Sequence, residues 1–219
     1  MHIPDGFLDT KVSYGLMGMA VAVLSFCLNK VKAAVTALAP QEAFAVVGNG
    51  IKCLAGSSRR VFTGKLYLMG MVTAVIFAIQ SFDFIVIEGS SGHLMGGALA
   101  AIVLGPFAGA LVMSAVLIVQ ALFLADGGLI ALGANIINMA FLGTFVTYYI
   151  YAELKKYTFE WLGVALAAWL SLVIVALMVS LELGLGFGPM LQVHVVVGVA
   201  EALFTTVLVK LFRGMLPNE

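Results

Sequence analysis

Charge is scarce in this chain. Only 10% of its 219 residues are Asp, Glu, Lys or Arg, against about 25% in an ordinary soluble domain. Eleven basic residues balance eleven acidic ones, so the composition offers no footing for nucleic-acid binding or for an acidic substrate. Two cysteines, Cys27 and Cys53, lack the spacing of a zinc or redox site and are too few for a disulfide framework. No Gly-x-x-x-x-Gly-Lys-Ser/Thr phosphate loop occurs, and no His-Glu-x-x-His metalloprotease motif. The first ten residues contain Asp5 and Asp9 but no basic residue, unlike the positive start of a secretory signal, so the amino-terminal segment is expected to be retained.

What is abundant is apolar sequence. With 63% hydrophobic residues, the chain reads as a single integral membrane domain over 1–219. A spanning helix needs about 20 apolar residues, and the breaks place spans at about 12–28, 66–87, 94–104, 107–124, 129–151, 161–181 and 190–212. The segment 29–65 carries Lys30, Lys32, Lys52, Arg59, Arg60 and Lys65 and is read as a cytoplasmic loop or interfacial segment. That placement puts the amino terminus outside and the carboxyl terminus in the cytoplasm, and every basic residue except Lys11 falls inside. The predicted fold is therefore all-α, a polytopic transmembrane bundle. It has seven spans if Gly105-Pro106 is a turn between two helices, six if it is a bend in one.

The beginning, "MHIPDGFLD", has specific coordination chemistry. A terminal amine on Met1, the backbone nitrogen of His2 and its Nδ1 can bind one ion together, closing five- and six-membered chelate rings. Three corners of a square are then filled by nitrogen, which suits Ni(II) or Cu(II) better than Zn(II), Mg(II) or Ca(II). His93 is the natural fourth donor. Pro4 restricts Ile3 to extended conformations, and Pro4-Asp5-Gly6 signals a turn that folds residues 1–3 back onto the protein. Ser90-Ser91-Gly92-His93 reads as a tight polar loop in which Ser90 and Ser91 hold the imidazole's other N–H. The plain alternative is an exposed His2 and a loop-capping His93.

The opening nine residues, the block "GSSGHLMGGALAAIVLGPFAGALVMSAVLIVQALFLADGGLIALGANIINM" and the later "HVVVGVAEALFT" together resemble the NikM/CbiM family. These are the substrate-capture components of energy-coupling-factor transporters for nickel and cobalt. The resemblance implies that Met1, His2 and His93 hold Ni2+ or Co2+ as bound substrate in a square of nitrogens. It also implies a prokaryotic cell-membrane location, a transmembrane coupling subunit, cytoplasmic ATPase subunits that hydrolyse ATP, and a small accessory membrane subunit. A planar field favours Ni(II), and Pro4-Asp5 is closer to the nickel members than to the cobalt ones. The long 29–65 segment departs from the family pattern.

Several polar residues fall within the expected spans. Glu201 lies two helical turns beyond His194 on about the same face. It is read as protonated, or as paired with Asn135, Asn138 or Gln120 to lock the bundle, in preference to touching the metal. His194 is either an entry residue near the site or a packed side chain at the outer end. Asp126, beside two glycines, is read as a turn residue. Gly105-x-x-x-Gly109 and Gly198-x-x-x-Ala202 predict close helix contacts, while Met and Phe are read as core filler and lipid-facing residues. The rival function is a stand-alone secondary carrier, which would want a line of polar residues across the membrane. An intramembrane metallohydrolase would want an open coordination position that a filled square does not leave.

Overall fold

A computed structural model describes residues 2–38, 44–47, 50–53, 56–81, 83–87, 90–184 and 187–215. Asp9 starts the first helix. Its carboxylate accepts the Lys11 N–H at 2.9 Å and its carbonyl the Ser13 N–H at 2.9 Å, the N-cap role for which Asp is suited. Helix α1 then runs over Thr10–Leu38, ten residues beyond the expected end. Lys30 and Lys32 end the apolar run but not the helix, because Asn29–Leu38 contains no breaker and is rich in Ala and Lys. Its described end, Leu38, lies two residues before Pro40 in the sequence, and proline disfavours helical backbone at the residue preceding it.

The segment 29–65, read as a cytoplasmic loop or interfacial segment, carries regular structure at its described residues. The described residues there form the end of α1, a hairpin of β1 (Phe44–Val47) and β2 (Gly50–Cys53), and the start of helix α2 (Gly56–Gln80). The second predicted span is also cut short. After Gln80 the chain forms a second antiparallel hairpin, β3 (Asp83–Ile87) with β4 (Ser90–His93), in which Asp83 pairs with His93. The β-branched run Ile85-Val86-Ile87 favours strand over helix, and Ser90-Ser91-Gly92-His93 is its partner strand, not a polar loop.

Beyond the hairpin the helices follow the predicted order. Helix α3 covers Gly97–Leu104 and α4 covers Pro106–Val119, continuing as a π-helical stretch over Gln120–Leu124. Gly105 at φ 82° makes the junction a turn, and α4 folds back on α3 so closely that a Cβ on Gly109 would sit 3.0 Å from the Ala100 carbonyl. A second column combines α5 (Leu132–Asn135), π-helical Ile136–Leu142 and α6 (Gly143–Leu154). Helices α7 (Glu160–Glu182) and α8 (Phe187–Met215) follow, packed where a Cβ on Gly198 would meet the Trp169 ring at 2.8 Å. The predicted close contacts are thus present at Gly109 and Gly198, whereas Gly105 has open space around it.

Among the described residues, four helices are long and apolar enough to cross a membrane: Thr10–Ala37, Pro106–Leu124, Glu160–Glu182 and Met190–Gly214. At about 1.5 Å per residue, α3 rises only about 12 Å, well short of a hydrocarbon core of about 30 Å. It is nevertheless central: Gly97–Ala101 are buried, and α3 packs against α2, α4, α6, α7 and α8. Met95, Met113 and Met139 fill the core beside it, while Phe26, Phe123 and Phe204 face outward. At the end of α6–α8 remote from α5, Arg213 bonds the Tyr151 hydroxyl and pairs with Glu160.

Candidate metal-capture site

The amino-terminal segment is docked through backbone contacts. Gly6 at φ 88° closes the predicted turn, and Ile3 is 1% exposed. The Asn135 side-chain amide behaves as a neighbouring strand would: its Oδ1 accepts the Ile3 N–H at 2.8 Å and its Nδ2 donates to the Ile3 carbonyl at 3.1 Å. That carbonyl also accepts the Gly128 N–H at 2.9 Å. Asp5 accepts the N–H groups of Leu129, Ile130 and Ala131 at 2.8–3.0 Å. These donors immediately precede α5, where a helix leaves its first amides unpaired and favours negative charge. Gly127 and Gly128 are required by this approach, since a Cβ on either would meet the terminal segment or Asn135.

Docking brings two imidazoles together. The rings of His2 and His93 stack with centroids 4.7 Å apart and planes 29° from parallel. His93, at the end of β4, is buried and donates its Nδ1–H to the Leu94 carbonyl at 2.9 Å, which leaves the basic lone pair on Nε2. Burial, reinforced by the neighbouring His2, holds its pKa well below the usual imidazole range, so it is neutral. A neutral imidazole is the form that binds metal. His2 Nδ1 donates to Asp126 Oδ1 at 2.7 Å. That bond holds the Asp126 carboxyl below its ordinary value. Asp126 is thus a turn residue that also grips His2, in a loop bent by Ala125 at φ 53° and Gly127 at φ 89°. Beside it an open pocket of about 470 Å³ is lined by His2, Pro4, Asp5, Ala121 and Asp126 among others.

The backbone following His93 is gripped from two sides. Glu201 of α8, 1% exposed, accepts the N–H groups of Met95 and Gly96, each at 2.9 Å, and Gln80 of α2 donates to the Met95 carbonyl. The expected partnership of Glu201 with Asn135, Asn138 or Gln120 is therefore corrected. Asn135 is taken by Ile3, Asn138 donates to Glu182 at 2.6 Å, and both amide atoms of Gln120 are buried without a hydrogen-bond partner among the described residues. His194 is buried and donates to the Met190 carbonyl one turn back in its own helix. Met1 lies outside the described residues, and so do the side chains of Ser90 and Ser91. Sequence reading missed the roles of Asp126, Gln80 and the Asp5 carboxylate. The only signal for any of them was Asp126's place between an apolar run and two glycines.

A helical membrane protein whose terminal segment presents one imidazole to another in its interior holds a donor pair suited to metal handling. Comparison with known proteins agrees. Residues 36–219 match the family model described as CbiM, the cobalt uptake substrate-specific transmembrane region, and the chain belongs to this family. It is a membrane transport component of the CbiM/NikM kind. It is 32% identical over its whole length to a putative fused nickel transport protein of Archaeoglobus fulgidus, covering 67% of that protein. A putative metal transport protein of Haloquadratum walsbyi is 33% identical over 94% of this chain and 86% of its own. Against a probable fused nickel transport protein of Lactiplantibacillus plantarum, 32% identical, the chain spans 49% of the relative's length. A crystal structure of a truncated transition-metal transporter superposes with a TM-score of 0.78 at 27% identity, over 98% of this chain and 99% of that one.

Proposed function

We propose that this chain is the capture subunit of an ATP-driven importer of Ni(II), with Co(II) as the alternative cargo. The ion is held by the Met1 amine, the His2 backbone nitrogen, His2 Nδ1 and His93 Nε2. The observation that carries the reading is the stacking of His2 on His93 at 4.7 Å, produced by a terminal segment fixed through Ile3 and Asp5. The two imidazoles supply two nitrogens, and main-chain nitrogens supply the others. Four nitrogens in a plane favour Ni(II), and Cu(II) would bind more tightly still, so selection in the cell rests on availability and on the rigidity of the square.

Capture must free His2 Nδ1 from Asp126 and remove its proton. A half-turn of the ring about Cβ–Cγ accomplishes the first step. It exchanges Nδ1 with Cδ2, so Nδ1 faces inward, away from Asp126, and Nε2 takes up the ring's remaining proton as Nδ1 gives up its own. His2 Nε2 is buried and without a hydrogen-bond partner among the described residues. Protons leave the amine and the amide, and His2 Nδ1 must be unprotonated to bind, so affinity falls as the medium is acidified. Energy for release comes from cytoplasmic ATPase subunits acting through a transmembrane coupling subunit, with a small accessory membrane subunit alongside. The amino terminus faces outward in the cell membrane.

The test is nickel content and visible absorption of the purified chain with its native terminus. It is compared with His93→Ala and with a variant carrying one Ala inserted between Met1 and His2. The native chain is expected to hold one yellow, diamagnetic Ni(II), which His93→Ala, left with three nitrogens, binds too weakly to retain through purification. The insertion moves the imidazole to third place, where amine, two amides and imidazole fill the square unaided, so binding becomes independent of His93. Equal binding by all three, or by none, refutes the terminal site. Uptake by vesicles containing this chain alone would favour a secondary carrier instead.

A further inference from the structure

We propose that Glu201 is a positioning residue for metal capture: it fixes the His93 imidazole by holding the backbone that follows it, and so ties the geometry of the metal site to the position of α8. The inference rests on the reading of His93 as a ligand.

Glu201 lies in the interior of α8 with both carboxylate oxygens committed, one to the Met95 N–H and one to the Gly96 N–H. A buried carboxylate in a membrane protein is costly, and no ion pair of Glu201 occurs among the described residues. Packing alone would be served more cheaply by an apolar side chain. What the carboxylate does is satisfy two amides at the start of α3, where the helix's own positive end favours it. Those amides belong to residues two and three positions after His93.

The link from Glu201 to the ring is short and closed at every step. His93 Nδ1–H is bound to the Leu94 carbonyl, Met95 and Gly96 are bound to Glu201, and Gln80 of α2 holds the Met95 carbonyl from the opposite side. Gly96, at φ 74°, sits so near Ile76 that a Cβ there would lie 3.0 Å from the isoleucine side chain. The backbone of 94–96 therefore cannot slide along α2 independently of α8. Metal–ligand distances tolerate only about 0.2 Å, so a shift of α8 by about 1 Å relative to α2 is enough to remove His93 from a nickel square while leaving His2 in place.

The test uses the full chain with its native terminus in detergent, titrated with Ni(II) and read by visible absorption. The variants are Glu201→Gln, His93→Ala and the pair combined, with the thermal transition of each metal-free protein as a fold control. Glu201→Gln keeps one acceptor and turns an amide NH2 toward the other backbone N–H. It is expected to weaken Ni(II) binding about 10- to 100-fold and alter the absorption band, yet to add less than about twofold in the His93→Ala background, where there is no ligand left to position. Native-like binding by Glu201→Gln overturns the proposal. So does the same loss in both backgrounds, which would mark a general structural role. If Glu201→Gln does not fold, Glu201→Asp carries the test. It keeps the carboxyl group but draws it back by one methylene, and it must weaken binding at least about fivefold in the same His93-dependent way. Native-like binding by His93→Ala itself would instead remove the ligand reading on which the inference stands.

Discussion

Replacing Asn135 by alanine should release the amino-terminal segment without unfolding the protein. The side chain makes two hydrogen bonds to Ile3, and both are buried. Without it the Ile3 carbonyl keeps its bond from Gly128, but the Ile3 N–H has no partner in a site where the residue is 1% exposed. An unsatisfied buried donor costs about 1–3 kcal/mol, and the second bond contributes about 0.5–1.5 kcal/mol more. A combined loss of about 2–3 kcal/mol corresponds to about a 30- to 140-fold fall in the ratio of docked to undocked segment. Amide hydrogen exchange at His2, Ile3 and Asp5 of the metal-free protein reads that ratio directly, while amides in α7 report global stability. Exchange should quicken by that factor in the segment and stay unchanged in α7. Unchanged exchange at Ile3, or an equal acceleration in α7, would refute the claim that Asn135 acts as a local dock.

Asp5→Ala removes the acceptor of three backbone amides. It should cost about 1–2 kcal/mol of docking, seen as earlier proteolytic cleavage within residues 2–9. Gly133→Ala drives a methyl group into the backbone of Leu16 and Met17; a drop of several degrees in the thermal transition is expected from about 1–3 kcal/mol of overpacking. His93 has its pKa depressed in the folded protein, so below the ordinary imidazole value the unfolded chain binds the extra proton. Metal-free stability should therefore fall as pH drops from about 6.5, by about 1.4 kcal/mol per pH unit. His93→Gln should flatten that slope in denaturant titrations at pH 7.5 and 5.5, and parallel slopes would refute the assignment.

What could be read from the sequence was what is encoded locally. The Pro4-Asp5-Gly6 turn, the stop at Gly105-Pro106 and the glycine contacts at Gly109 and Gly198 each depend on a few adjacent residues, and each is present. The end of α1 was misplaced for an identifiable reason. Lysines mark where a helix leaves an apolar environment, whereas the helix itself ends where its backbone cannot continue, near Pro40. The partners of the site were hidden for a different reason. Asn135 and Asp126 reach the terminal segment across 132 and 124 positions of chain. Glu201 bonds backbone amides, which every non-proline residue possesses and which leave no mark in the sequence. A polar residue in an apolar helix announces that it needs a partner, but it does not say which.

The contacts of Asn135 and Asp5 with the first residues are ones that a free peptide could also make. In that sense the chain carries its own ligand, leashed to the receptor by the few residues between Asp5 and α1. A short tether of this kind corresponds to a local concentration of roughly millimolar. A synthetic peptide of the same opening sequence would therefore have to approach that level to compete for the cleft. A chain stripped of its first nine residues would present the cleft open, and it should accept the peptide, and with it the metal, from solution.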